Sequence, residues 1–133
     1  MGVNFRDASQ NVYKILIIED NEDDIVLLKE VLGTSYPKSS MITVNTVHNA
    51  GRILQEYDFD LIILDLNLPD SFGPKTVGDI RAITAETPIL IFTGMASDVT
   101  VEECKKMGGQ SLIEKSMLTD LRFTEILARY LPR

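Results

Sequence analysis

Five short runs of isoleucine, leucine and valine, separated by longer amphipathic stretches, constrain this chain more than any other feature. The runs are Lys14–Glu19, Met41–Val47, Asp60–Asp65, Pro88–Thr93 and Ser111–Glu114. They carry little apolar–polar alternation. A strand that is apolar throughout is buried on both faces, and such strands belong to parallel sheets covered by helices. The stretches between them repeat at helical spacing. Ile25, Leu28 and Leu32 predict a helix that stops at Gly33, with Pro37 beyond it. Ala50, Ile53 and Leu54 predict a second that stops near Tyr57. Val77, Ile80 and Ile83 predict a third, which cannot pass Thr87 because Pro88 follows. Val99, Val101, Cys104 and Met107 predict a fourth, capped by Ser97 or Asp98 and stopped by Gly108. Leu118, Leu121, Ile126, Leu127 and Tyr130 predict a fifth, ended by Pro132. The alternation βαβαβαβαβα predicts an α/β protein: an open, doubly wound parallel sheet with right-handed crossovers.

With 133 residues, this is enough chain for one domain and not for two. Met1–Val12 is polar and aperiodic and reads as an N-terminal extension, leaving 13–133 as the domain. The formal charge is −7. A surplus of acids disfavours non-specific nucleic-acid binding, which depends on neutralising phosphates. No apolar run approaches the ~20 residues of a membrane helix. The single cysteine, Cys104, cannot form an internal disulfide and lies in a helical apolar stripe. With no signal peptide in view, it points to a reducing cytoplasm.

In a doubly wound sheet, ligands bind beyond the carboxyl ends of the strands, where the strand order switches. The first predicted strand ends in Glu19-Asp20, the third in Asp65, the fourth in Thr93 and the fifth in Glu114-Lys115. The second, the weakest, ends at Val47 and His48. Three carboxylates at neighbouring strand ends repel one another, and a hard divalent cation removes the conflict. Thr93 adds a hydroxyl and Lys115 a point positive charge, both suited to phosphoryl oxygens. The set reads as a magnesium-assisted phosphoryl-transfer site with a carboxylate nucleophile.

The segments ILIIEDNEDD, DLIILDLNLPDSFG, PILIFTG and GGQSLIEKS occupy those strand ends in order. Together they resemble the receiver domain of two-component response regulators, over about Lys14 to Leu131. The resemblance implies the doubly wound (βα)5 flavodoxin-like fold, with strand order 2-1-3-4-5. It implies that Asp65 is the phosphoacceptor. Glu19 and Asp20 would hold Mg2+ together with Asp65 and the backbone carbonyl of Asn67. Thr93 and Lys115 would bind phosphoryl oxygens. The donor would be a sensor histidine kinase or a histidine phosphotransfer protein. The output would pass to an effector protein or a fused output domain. Such a domain catalyses only its own phosphorylation and dephosphorylation.

Three positions depart from the family pattern. Ser116 follows Lys115 where the family has proline after a cis peptide, so either the bond is cis or the loop runs differently. Leu112 replaces the aromatic residue that normally moves with the threonine. Gly94 replaces the alanine after it. Phosphoryl chemistry depends on none of these, whereas the threonine–aromatic switch and its output face at the fourth helix and fifth strand do.

Other readings explain less. A phosphorylation-independent interaction module with the same fold accounts for Leu112 and Ser116, but not for the intact acids, threonine and lysine. An aspartyl-phosphate phosphatase wants an acid two residues past the nucleophile, where this chain has Asn67. A flavin carrier wants an amide- and hydroxyl-rich loop after the first strand, and this chain has five acids between Glu19 and Asp24. Glu22, Asp23 and Asp24 are assigned mainly to the first turn of the following helix. His48 has no second metal-type ligand near it. Met95, by family analogy, faces the mouth of the site.

Overall fold

A computed structural model describes residues 12–94 and 96–132. Of the expected N-terminal extension, only Val12 falls within that range, and Met95 lies outside it. The strands are β1 (Lys14–Ile18), β2 (Ser40–Val44), β3 (Leu61–Leu64), β4 (Ile89–Thr93) and β5 (Ser111–Glu114). The helices are α1 (Glu22–Ser35), α2 (Val47–Leu54), α3 (Lys75–Arg81), α4 (Asp98–Lys106) and α5 (Leu121–Tyr130). All five strands are parallel, in the order β2-β1-β3-β4-β5. This is the expected doubly wound flavodoxin-like sheet. A small antiparallel ribbon, Asn67–Leu68 against Ser71–Phe72, follows β3.

Strand geometry sends alternate side chains to opposite faces, and both faces are covered. Ile15, Ile17, Leu61, Ile63, Leu90 and Phe92 pack with Leu28 and Leu32 of α1 and with Phe123 and Leu127 of α5. Leu16, Ile18, Ile62, Leu64, Ile89 and Ile91 pack with Ala50, Val77, Ile80 and Cys104, from α2, α3 and α4. That is why the strands show no alternation in sequence. Burying each such side chain contributes roughly 1.5–3 kcal/mol.

Several expected boundaries shift. α1 does not stop at Gly33. Leu32 and Tyr36 lie one turn apart and both are fully buried, so packing carries the helix on to Ser35. Tyr36 then caps it, its N–H donating to Leu32 O at 2.7 Å and its hydroxyl to Leu131 O at 2.7 Å. β2 ends at Val44, not Val47, because Val47 and His48 already form the first turn of α2. Ile83 falls beyond the end of α3. α5 begins at Leu121, not Leu118. Leu118 is buried before the helix starts, Leu121 faces solvent, and Phe123 takes the core position. In α4, Val99 is exposed and only Cys104 is buried, and Met107 lies just past its end, also exposed. Gly108 ends this helix at φ +105°, a left-handed conformation that favours glycine.

Candidate metal and phosphoryl site

Strand register assembles the site. Ile18 pairs with Leu64, so Glu19 and Asp65 are the next residues on two adjacent strands. Asp65 N–H donates to Ile18 O at 3.0 Å, and Glu19 N–H to Val44 O at 3.0 Å. Thr93 pairs with Glu114, which places Lys115 one residue past the Thr93 level. β1 has β2 on one side and β3 on the other, so these residues ring the point where the strand order switches.

Ligand oxygens of Glu19, Asp20 and Asp65 lie within 4.8 Å of one another. Glu19 is 1% exposed and Asp65 4%, whereas Asp20 faces solvent. The second carboxylate oxygen of Glu19, Oε2, is buried without a hydrogen-bond partner. Burial holds the Glu19 carboxyl above the ordinary carboxylate range. The neighbouring Asp65 carboxylate adds to the rise, and Lys115 opposes it. A buried, orphaned acidic oxygen beside two more carboxylates is a donor set that a hard divalent cation satisfies.

Lys115 Nζ lies 2.7 Å from Glu19 Oε1, 2.7 Å from Asp24 Oδ2 and 3.7 Å from Asp65 Oδ2. It also sits 5.5 Å from the centre of the Phe92 ring. Burial works against its charge, but the hydrogen bonds it donates to Asp24 and Glu19, with the charges of Asp65 and Glu19, outweigh that and raise its pKa. Asp24 shows the opposite balance: burial raises its pKa, but the bond to Lys115, the neighbouring Glu19 carboxyl and the lysine's charge together outweigh it and lower the pKa.

A cavity of about 390 Å³ opens beside Asp65, lined by Asn67, Gly73, Thr93, Thr100 and Lys115 among others. A second, of about 360 Å³, lies between Asp20, Asp65, Asn67 and Lys115. The structure thus brings together Glu19, Asp20, Asp65, Asn67, Thr93 and Lys115. Gly73, at φ +78°, turns the chain back, and its N–H donates to Leu66 O at 2.7 Å, closing the loop that carries Asn67. His48 is exposed on the first turn of α2.

Asp24 corrects the sequence reading, which assigned it to the helix end. Asn21 fills that role instead, its side chain accepting from Asp24 N–H at 3.0 Å. Asp24 turns its carboxylate to Lys115. The Lys115–Ser116 peptide is trans, as are all peptides among the described residues, and the chain enters a short 3₁₀ turn at Lys115–Met117. Leu112 is half-buried and packs against the core formed with α2, α3 and α4.

An open parallel sheet with an acidic pocket, a hydroxyl and a lysine at its switch point defines a class of doubly wound α/β domain. Residues 15–127 match the response regulator receiver domain family, and the chain belongs to it. The cell cycle response regulator CtrA of Brucella ovis is 34% identical over 83 residues, which cover 62% of this chain and 35% of that protein. The chain therefore spans about a third of the length of the curated relatives it matches. A response regulator from Hahella chejuensis is similar in structure, with 32% identity and a TM-score of 0.77 over 90% of this chain and 96% of that one. The receiver domain of sensor histidine kinase PA1611 from Pseudomonas aeruginosa PAO1 shares the fold at 24% identity. Its TM-score is 0.75, over 92% of this chain and 100% of that one. That structure has a magnesium ion in its active-site cleft. Among the described residues, no helix is long and apolar enough to cross a membrane.

Proposed function

We propose that this chain is the phosphoacceptor receiver domain of a two-component phosphorelay, formed by residues 13–133. Asp65 takes a phosphoryl group from a phosphohistidine on a sensor histidine kinase or a histidine phosphotransfer protein. A carboxylate oxygen of Asp65 forms the new bond to phosphorus. The phosphorus–nitrogen bond of the donor breaks, and its electron pair leaves with the imidazole. Glu19, Asp20, Asp65 and the carbonyl of Asn67 are the residues that would hold Mg2+. When bound, the ion supplies the charge neutralisation that lets a dianionic group approach these acids. The Thr93 hydroxyl donates to one phosphoryl oxygen and the Lys115 ammonium to another. The phosphorylated domain changes its binding to an effector protein or output domain. It acts in the cytoplasm, on no substrate but itself, and touches neither nucleic acid nor membrane.

The observation that carries this reading is the juxtaposition of three carboxylates within 4.8 Å with Lys115 3.7 Å from Asp65. Incubation with acetyl phosphate, with and without magnesium, followed by intact mass measurement, tests it. One phosphoryl adduct is expected in magnesium, and none in chelator or in Asp65→Asn. An adduct that survives either change overturns the assignment. A wild-type protein that never labels is instead a phosphorylation-independent interaction module.

A further inference from the structure

Lys115 is committed before any phosphoryl group arrives. Its ammonium has three N–H donors. Glu19 and Asp24 each accept one at 2.7 Å, while Asp65, at 3.7 Å, is beyond hydrogen-bond reach. The two acceptors differ in kind. The side chain of Glu19 is 1% exposed and held at a strand end, whereas that of Asp24 is 26% exposed on the first turn of α1. The helix does not need Asp24. Asn21 already caps it, and Glu22 and Asp23 already supply acids to its first turn. Nor is Asp24 the one acid beside the half-buried Lys115: Glu19 lies 2.7 Å and Asp65 3.7 Å from its ammonium.

We propose that Asp24 is a positioning residue for the phosphoacceptor site: it holds the Lys115 ammonium back from Asp65 and yields it when a phosphoryl group competes. The inference rests on the function proposed above. A phosphoryl oxygen on Asp65 and the carboxylate of Asp24 seek the same cation. Asp24, being partly exposed, loses least by returning to water. Its negative charge acts on the two ligands of the site in opposite senses. It attracts a divalent cation to Glu19, Asp20 and Asp65. It repels an anionic phosphoryl group and withholds the lysine that would bind it.

Opposite signs give the test. Wild type and Asp24→Asn are titrated with magnesium chloride, then with beryllofluoride at saturating magnesium, following amide chemical shifts. In Asp24→Asn, magnesium should bind roughly two- to fivefold more weakly and beryllofluoride more tightly by a similar factor, as suits a partly exposed ion pair. Asp24→Glu should restore both affinities toward wild type. In a Lys115→Ala background, Asp24→Asn should tighten beryllofluoride by a clearly smaller factor, since only the direct repulsion is then relieved. A merely structural role lowers both affinities together, and that result overturns the proposal. Beryllofluoride affinity that is unchanged, or that tightens equally without Lys115, also overturns it. Should Asp24→Asn fail to fold, Asp24→Ser carries the same test with the same outcomes. A wild type that binds neither ligand would instead count against the receiver function itself.

Discussion

Asp70 caps a helix that begins at Val47. Its two carboxylate oxygens accept the Val47 N–H at 2.9 Å and the His48 N–H at 3.0 Å. A helix leaves its first four N–H groups without internal partners. In α2 the N–H groups of the first three residues are satisfied: two by Asp70, and Asn49 N–H by the Thr46 hydroxyl at 3.0 Å; Ala50 N–H then makes the first ladder bond, to Thr46 O at 3.0 Å. The loop that carries Asn67 is thereby tied to α2. The same loop is tied to α3 through Ser71, whose hydroxyl is 2.8 Å from Thr76 Oγ1 and donates to Asp79 at 3.0 Å.

Asp70→Ala should cost about 1 kcal/mol at neutral pH, the usual worth of a helix cap. Slight burial raises the Asp70 pKa, but the backbone bonds from His48 and Val47 outweigh it, so its folded pKa lies below the unfolded one. Its contribution is therefore present above about pH 3.9 and is lost as pH falls through the lower, folded value. Urea midpoints of wild type and Asp70→Ala should differ at neutral pH and converge in strong acid. A gap that persists in acid would show that the cap acts through something other than its charge.

Millimolar magnesium should raise the melting temperature of the wild-type protein. A ligand that binds only the folded state stabilises it by RT ln(1 + [L]/Kd), about 2.7 kcal/mol at a hundredfold excess over Kd. Asp20 faces solvent beside the buried acids, so Asp20→Asn should remove the shift without removing a core contact. Scanning calorimetry of both proteins, with and without magnesium, checks this. An equal shift in Asp20→Asn would exclude Asp20 as a ligand.

Phosphoryl binding should be felt mainly in the loops beside the site, 66–73 and 94–98. Leu112 is half-buried against the core and has no aromatic ring to exchange between two environments. A ligand shifts an equilibrium only by its differential affinity for the two states. Amide shifts on adding magnesium and beryllofluoride should therefore be largest in those loops and smaller along α4 and β5. Equal shifts along 99–107 and 111–114 would show that coupling to that face survives without the aromatic.

Arg81 should matter more to stability than its position at the end of a short helix suggests. Its guanidinium donates to Thr84 O at 3.1 Å, Thr87 O at 2.8 Å and Gly108 O at 2.8 Å, and to Gln110 Oε1 at 3.0 Å. Gln110 Oε1 also accepts Ile89 N–H. One side chain thus joins the α3–β4 and α4–β5 connections at the pole opposite the site. Arg81→Ala leaves part-buried carbonyls unpaired and should cost roughly 2–3 kcal/mol. Lysine, a point charge without the planar fork, should recover only part of it. Chemical denaturation of the three proteins measures both, and a loss below half a kcal/mol, within the ordinary range for surface changes, would show the network to be dispensable.

Reading the sequence placed the sheet because a strand covered on both faces must be apolar at every position, as at Leu61–Leu64, and that is a local property of the chain. It placed Glu19, Asp20, Asp65, Thr93 and Lys115 because each follows directly from where such a run ends. It missed the true start of α2, since one of its caps, Asp70, comes from a loop that only the fold brings near. It stopped α1 at Gly33, since the pull that carries the helix onward is the burial of Tyr36 against the end of α5. It gave Asp24 to the helix terminus, since nothing local distinguishes a first-turn acid that faces water from one that a lysine 91 residues away reaches. Apolar patterning records which faces are buried. Which long polar side chains meet across those faces depends on strand order and register, and those exist only once the chain has folded.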